Sequence, residues 1–205
     1  MKRAYLIRHG RTEANERRLY CGSTDLPLSE AGRAGLERLR ESMVYPKADG
    51  LRIYTTGLSR TEETLRLIWG ELPHTELPEL REMAFGAFAL RSYCDLRDTP
   101  EYRDWTSGDN EKKRCPGGES GEDMARRVVA AFQRLLLPEG DCLIVTHGGP
   151  IAAIMAHLFP QENRSRYDWQ PHNGEGYRID FDDMHSIFWG EIPTSGAELP
   201  VSSEK

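Results

Sequence analysis

Short apolar runs alternate with segments of helical periodicity along this chain, and that alternation limits the folds it can adopt. The apolar runs at 4–8, 50–56 and 141–149 are typical of buried strands. Apolar residues recur at helical spacing in the segments that follow, such as 30–43 and 59–72. Strands that alternate with helices form βαβ units, so we predict a three-layer α/β/α sandwich with a mainly parallel sheet.

The second half of the chain adds an antiparallel element to this sheet. Residues 176–190 alternate apolar and polar side chains around two aspartates, which predicts a hairpin at the edge of the sheet. The length of 205 residues suits one domain, which we place at 1–190. Within it, the irregular stretch 86–115 is expected to form short helices and loops over the fold. Residues 191–205 are expected to be a flexible tail.

Three serines are candidates for the first turns of the main helices. Ser29 and Ser120 each precede an amphipathic segment, as N-caps do. Asp123 lies three residues after Ser120, and Glu62 lies three residues after Ser59. Both spacings predict a capping box.

Charge and cysteine usage exclude several classes of partner. The formal net charge is -6, so the surface should repel nucleic acid and anionic membranes. No run of about 18 apolar residues is present, so we expect no transmembrane helix. The four cysteines are far apart and form no Cys-x-x-Cys pair, which favours reduced thiols and a cytoplasmic protein.

Cationic and imidazole side chains cluster where the predicted strands give way to helices. The first strand ends in Arg-His-Gly at 8–10, and the strand at 141–149 ends in Thr-His-Gly-Gly. The second predicted helix carries Arg60 near its start. Because parallel strands bring their carboxyl ends to one edge of a sheet, we expect His9, His147 and these arginines to converge there.

Such a set of groups suits a phosphoryl group. Guanidinium groups match phosphate oxygens, and a neutral imidazole close to positive charge can attack phosphorus. We expect Gly10 to clear space for the anion. The sequence has no Walker phosphate loop, no Gly-x-Ser-x-Gly elbow and no His-Glu-x-x-His helix, which argues against an NTPase, a serine hydrolase and a zinc protease.

Six blocks in order resemble the phosphoglycerate-mutase-like branch of the histidine phosphatase superfamily. They are LIRHGRTEAN, YCGSTDLPLSEAG, TTGLSRTEET, ELREMAFGAF, GGES and LIVTHGGPI, and the resemblance runs from about residue 3 to residue 181. The segment LYCGSTDLPLS is also similar to that of α-ribazole phosphatases. One block differs, because GAFAL at 86–90 stands where the family often has Gly-x-Trp-Glu-Gly. This difference bears on the shape of the lid and on the substrate.

The resemblance implies a role for each residue of the site. His9 would be the nucleophile that becomes phosphohistidine, and Glu82 would act as proton donor and then as base. The groups that would bind the phosphate and stabilise its charge are Arg8, Arg60 and His147. The backbone amide of Gly148 and the residues Asn15, Cys21 and Gly22 would line the phosphate or substrate pocket.

These residues favour a phosphomonoesterase that needs no metal and no cofactor and acts on a small-molecule phosphate ester. A phosphoglycerate mutase and a non-catalytic phosphate-binding module stay open as alternatives. Phosphoglycerates, sugar phosphates and α-ribazole phosphate are all possible substrates. The basic residues at 112–114 are expected to be a solvated loop, with contact to a second anionic group of the substrate as the alternative. The aromatic residues of 85–105 are expected to be buried in the covering region, and the sequence gives no oligomeric state.

Overall fold

A computed structural model describes residues 1–109, 111–182 and 185–195 of the chain. The strands of the described part form one mixed sheet in the order β3-β2-β4-β1-β5-β6. The first four of these are mutually parallel, and β5 and β6 are antiparallel additions at one edge. The strands are β1 (Lys2–Arg8), β2 (Arg52–Thr55), β3 (Thr75–Glu76), β4 (Cys142–Thr146), β5 (Gly176–Asp182) and β6 (His185–Ile192).

Helices connect the strands and cover both faces of the sheet. They are α1 (Glu13–Glu16), α2 (Glu30–Ser42), α3 (Ser59–Trp69), α4 (Tyr93–Leu96), α5 (Pro100–Thr106), α6 (Gly121–Leu136) and α7 (Gly148–Leu158). Short 3₁₀ turns lie at Pro78–Leu80, Gly86–Phe88, Pro160–Glu162 and Arg166–Trp169. The predicted three-layer α/β/α sandwich with a mainly parallel sheet and an antiparallel edge is confirmed.

Alternate residues of the central strands explain the three layers. Ala4 and Leu6 of β1 belong to the same apolar cluster as buried residues of α6 and α7. Tyr5 and Ile7 belong to a second cluster, with Leu65 of α3. Since successive side chains of a strand point to opposite faces, a continuous apolar run is required to fill both cores.

Two of the predicted helix caps are present and one is wrong. The Ser29 hydroxyl accepts a hydrogen bond from the backbone at the start of α2, and Ser120 forms the predicted capping box with Asp123. Ser59 does not cap α3, because it is already the first helical residue. Instead Asp25 caps the helix from another loop, accepting hydrogen bonds from the Ser59 backbone at 2.8 Å and the Ser59 hydroxyl at 2.9 Å.

We therefore expect Asp25→Ala to lower the free energy of unfolding by about 1 kcal/mol, the usual cost of losing an N-cap. Urea denaturation followed by circular dichroism measures this change. Asp49→Ala is the matched control, because Asp49 is an exposed aspartate. Equal stabilities of the two variants would contradict a capping role for Asp25.

The structure also refines the predictions for the covering region and for the chain end. Residues 86–115 hold a 3₁₀ turn and the short helices α4 and α5, as expected. The tail predicted from residue 191 starts too early, since β6 continues to Ile192, which is 1% exposed, and Thr194 pairs with Val44. The rest of that tail, 196–205, lies outside the described residues. No helix in the described ranges is both long and apolar enough to cross a bilayer.

Candidate active site

His9 follows the last residue of β1 and is held in one tautomer. Its Nδ1 lies 2.6 Å from the carbonyl oxygen of Gly10, so this nitrogen carries the proton and donates it. The lone pair is then on Nε2, the other side of the ring. Burial, together with the positive charges of Arg60 and Arg8, lowers the pKa of His9 well below its usual range. The ring is uncharged at neutral pH and carries a nucleophilic nitrogen.

His147 follows β4 and lies beside His9, with the ring centroids 5.1 Å apart. Its Nδ1 accepts a hydrogen bond from Arg60 Nε at 3.3 Å, and its Nε2 lies 3.0 Å from the Thr56 hydroxyl. Burial and the charge of Arg60 lower its pKa well below the usual range. In this structure both ring nitrogens of His147 contact protein groups, and one of these contacts holds Arg60. The phosphate contact that the resemblance implies for His147 stays a prediction.

Arg60 is fixed by groups from two sides. Besides the bond to His147, its Nη1 donates to the carbonyl of Thr24 and its Nη2 to the carbonyl of Gly22, both at 2.7 Å. Gly22 has φ +55, and a Cβ there would stand 2.3 Å from the carbonyl oxygen of Met83. The loop can therefore reach Arg60 only with glycine at this position. The remaining N–H groups of the guanidinium are the ones that can serve an anion.

Arg8 provides a second guanidinium at the same edge of the sheet. Its Nη1 donates to the carbonyl of Pro171 at 2.8 Å, and its Nε is a buried donor with no partner among the described residues. A Cβ on Gly148 would lie 3.2 Å from the Arg8 Cζ, so the glycine lets α7 begin against this guanidinium. Gly10 has a different role from the one predicted. A Cβ there would meet the Leu36 side chain at 2.6 Å, so Gly10 makes room for α2.

Glu82 lies in the irregular segment after the first 3₁₀ turn, in contact with the start of α7. One carboxylate oxygen accepts a hydrogen bond from the Gly149 backbone at 2.9 Å, and the other accepts one from the Met83 backbone at 3.0 Å. A Cβ on Gly149 would stand 2.2 Å from the Glu82 carboxylate. The second glycine of the His-Gly-Gly sequence thus holds Glu82, a contact that sequence spacing does not reveal.

Arg127 of α6 and its partner Glu119 hold the segment that carries Glu82, and we call this pair the Arg127 bracket. Arg127 forms a two-point ion pair with Glu119, with distances of 3.0 and 2.9 Å. Arg127 also donates to the carbonyls of Glu79 and Arg81, while Glu119 accepts from the backbone of Ala84. Backbone groups on both sides of Glu82 are therefore tied to Arg127 of α6 and to Glu119 just before that helix, which restricts where the Glu82 carboxylate can lie.

Most of the predicted site residues border a cavity of about 410 Å³. Arg8, His9, Arg60 and Glu82 line it, together with three of the predicted pocket residues, Asn15, Cys21 and Gly22. His147 and Gly148 are buried and do not border this cavity in the described structure. The cavity is wide enough for an organic phosphate, since sites for small molecules usually measure roughly 300–1,000 Å³.

Aromatic side chains form much of the rest of the lining. Tyr20 packs edge-on against Phe85, with centroids 5.0 Å apart, and its hydroxyl lies 2.6 Å from that of Tyr102. Trp105 completes the group. The aromatic residues of 85–105 were expected to be buried in the cover, and Phe88, Tyr102 and Trp105 are, but Tyr93 is exposed. Phe85, Tyr102 and Trp105 also border the cavity.

Asn15 and Cys21 are both partly committed to local structure. The Asn15 side-chain oxygen accepts hydrogen bonds from the Thr12 backbone and hydroxyl, so only its amide nitrogen can serve an anion. The Cys21 thiol donates to the carbonyl of Thr24, and burial raises its pKa. A smaller neighbouring cavity shares Asn15 and Arg8 with the first and is bordered by His172.

The basic residues at 112–114 form ion pairs at the surface. Lys112 pairs with Asp109 at 3.2 Å and Lys113 with Asp104 at 3.0 Å. The Arg114 guanidinium pairs with Asp123 at 2.8 Å. None of the three borders either cavity of the described structure. Their arrangement agrees with the solvated loop.

The two buried histidines make stability depend on pH. Their pKa lies below 6.5 in the folded protein, whereas the unfolded chain recovers the ordinary value. As the pH falls below 6.5, the unfolded chain takes up protons that the folded protein does not bind. The free energy of unfolding should therefore fall by up to about 1.4 kcal/mol per pH unit for each histidine.

Urea denaturation between pH 7.5 and 5.5 tests this dependence. Wild type should lose stability below pH 6.5, and His9→Gln should show about half of that slope because one titrating group is gone. The same slope in both proteins would show that His9 is protonated as easily when folded as when unfolded.

The fold and the groups at its sheet edge define an α/β protein of the phosphoglycerate-mutase-like class, with two uncharged imidazoles and two guanidiniums facing a carboxylate. The chain belongs to the histidine phosphatase superfamily (branch 1), whose family model matches residues 4–188. No group of three or more His, Cys, Asp or Glu side chains that could hold a metal ion is found in the described ranges.

Some of the named relatives are phosphatases and others are phosphoglycerate mutases. An adenosylcobalamin/alpha-ribazole phosphatase of Salmonella typhimurium is 32% identical over 185 residues, covering 87% of this chain and 90% of that one. The solved alpha-ribazole phosphatase of Shigella flexneri has a TM-score of 0.78 at 27% identity, covering 98% and 100% of the two chains. The solved phosphoglycerate mutase of Thermus thermophilus has a TM-score of 0.67 at 26% identity, covering 91% and 97%.

Proposed function

We propose that this protein is a metal-independent phosphomonoesterase that hydrolyses small-molecule phosphate esters through a phosphohistidine at His9. One observation carries the proposal. A buried, uncharged imidazole with its lone pair on Nε2 shares a cavity with two guanidiniums and a carboxylate. That set supplies a nucleophile, charge stabilisation and a proton carrier without a metal ion.

In the first step His9 Nε2 attacks phosphorus and the bond from phosphorus to the ester oxygen breaks. Arg8 and Arg60 balance the charge on the three equatorial oxygens. The leaving oxygen takes a proton from Glu82, and the alcohol departs. The carbonyl of Gly10 keeps the proton on Nδ1 and so stabilises the cationic ring of the intermediate.

In the second step water attacks the phosphorus of phosphohistidine. The Glu82 carboxylate takes a proton from that water, and the bond from phosphorus to Nε2 breaks. Inorganic phosphate leaves, and His9 regains its neutral form. The low pKa of His9 makes the imidazole a good leaving group in this step.

The named mutase among the solved relatives keeps phosphoglycerate mutase as the second candidate. A mutase would return the phosphoryl group to a second hydroxyl before water reaches it. A non-catalytic phosphate-binding module would retain the same pocket and form no covalent intermediate.

Turnover of p-nitrophenyl phosphate in excess EDTA tests the proposal. We expect hydrolysis and, after rapid quenching with alkali, a protein-bound phosphoryl group that acid releases. A protein that binds phosphate but shows neither would be a binding module. Conversion of 3-phosphoglycerate to 2-phosphoglycerate faster than release of phosphate would show a mutase. A panel that includes α-ribazole phosphate, sugar phosphates and phosphoglycerates then ranks the substrates.

A further inference from the structure

The cavity has a second wall that the proposed chemistry does not use. It is built from the end of α5, the loop that follows it, the start of α6, and the 3₁₀ turn at Arg166–Trp169 with the residue after that turn. We call it the loop wall, and its residues are Thr106, Glu111, Gly121, Arg166, Tyr167 and Gln170. Any alcohol that extends from the phosphate through the cavity meets either this wall or the aromatic side chains.

An ion pair stands in the loop wall. Arg166 Nη1 and Glu111 Oε2 are 2.6 Å apart, and the two side chains keep 22% and 34% of their surface exposed. Glu111 is anchored through its carbonyl, which accepts a hydrogen bond from the Glu122 backbone at 2.9 Å. A Cβ on Gly121 would stand 2.0 Å from Glu111 Oε2, so the carboxylate lies directly over the glycine at the start of α6.

The charges of the two walls differ. Arg8, Arg60 and Arg166 are the cations that border the cavity in the described structure. Arg8 and Arg60 belong to the phosphate end, where one carboxylate faces two guanidiniums. Arg166 is already neutralised by Glu111, so the loop wall offers no net positive charge. A second phosphate placed there would meet the Glu111 carboxylate at close range, and like charges in such a contact disfavour binding.

We infer that the Glu111–Arg166 pair is a specificity determinant. It selects monophosphates of neutral, ring-containing alcohols and disfavours esters that carry a second phosphate. A neutral polar group can donate to Glu111 and accept from Arg166 at the same time, while Tyr20 and Phe85 pack against the ring. This inference rests on the proposed function, because it assumes that the phosphate lies beside His9.

Two nucleotides that differ by one phosphate test the inference. We would measure kcat/KM for release of the 5′-phosphate from adenosine 5′-monophosphate and from adenosine 3′,5′-bisphosphate. Wild type should prefer the monophosphate by about tenfold or more, and Glu111→Gln should reduce that preference by about tenfold. Arg166→Gln should weaken turnover of the monophosphate relative to p-nitrophenyl phosphate. Arg134 lies on α6 and forms an exposed pair with Glu79, so Arg134→Gln should leave the preference unchanged.

A preference in Glu111→Gln within twofold of wild type would overturn the inference, as would a wild type that favours the bisphosphate. Failure of the proposed function would look different, because p-nitrophenyl phosphate would then not be turned over at all. In that case calorimetric dissociation constants of the two nucleotides for wild type and Glu111→Gln decide the question. Wild type must then bind the monophosphate more tightly than the bisphosphate, and Glu111→Gln must reduce that difference in binding.

Discussion

Replacing His9 with glutamine is expected to lower kcat/KM for p-nitrophenyl phosphate by about 10⁴-fold or more, the scale seen when a covalent nucleophile is removed. The amide cannot form the bond to phosphorus, so the two-step path is lost. Arg8 and Arg60 remain, and they can still bind the ester and inorganic phosphate. The loss should therefore fall on kcat far more than on KM.

His157→Gln is the matched control for this change. His157 is an exposed histidine near the end of α7, and its Nε2 lies 3.3 Å from the Gln133 side chain. The control should keep wild-type activity. His9→Gln should also lose the acid-labile phosphoryl group, while its thermal unfolding at pH 7.5 shows that it is folded. A phosphoprotein that persists in His9→Gln would place the covalent bond on another residue.

The groups that the sequence revealed are those placed by the sheet itself. His9 and His147 each follow directly on an apolar strand, and parallel pairing of β1 with β4 in register aligns Arg8 with Thr146. The predicted parallel sheet brings the ends of its strands to one edge, and the pairing of β1 with β4 then places the two histidines side by side. Arg60 could be added because the helix that carries it starts at the same edge.

Glu82 and the loop wall could not be found in this way. Glu82 follows a 3₁₀ turn in an irregular segment, and its position depends on the Gly149 backbone and on the Arg127 bracket. These are tertiary contacts without periodicity, so only the family resemblance singled out position 82. Glu111 and Arg166 come from separate loops and meet over Gly121, an association that no local pattern encodes.

Two predictions from local motifs were wrong because residues distant in the sequence contact these positions. Ser59 and Glu62 have the spacing of a capping box, yet Asp25 caps the helix from outside and Glu62 accepts hydrogen bonds from Thr55 and His74 instead. Gly10 has the setting of an anion-binding glycine, yet its missing side chain makes room for Leu36. In both places the local motif is present in the sequence, but tertiary packing determines which residue caps the helix and which side chain the glycine makes room for.

The Glu82→Gln variant separates proton donation from phosphate binding. A poor leaving group such as the alkoxide of glycerol 2-phosphate needs a proton as it departs, whereas p-nitrophenolate leaves readily as an anion. We expect kcat/KM to fall about 10³-fold for glycerol 2-phosphate and about tenfold for p-nitrophenyl phosphate. The ratio kcat/KM is the correct measure, because it reports transfer to His9 and omits the later hydrolysis step, in which Glu82 acts as base.

Glu79→Gln is the matched control for Glu82→Gln, because it makes the same substitution three residues earlier in the chain. Glu79 is half exposed and pairs with Arg134 outside the cavity, so its loss should affect both substrates little. Glutamine at 82 can still accept one hydrogen bond from the Gly149 or Met83 backbone, which keeps the side chain near its original place. The variant should therefore form phosphohistidine from p-nitrophenyl phosphate and hydrolyse it slowly, so that the intermediate accumulates. Equal losses for the two substrates, without accumulation, would mean that Glu82 orders the pocket and moves no proton.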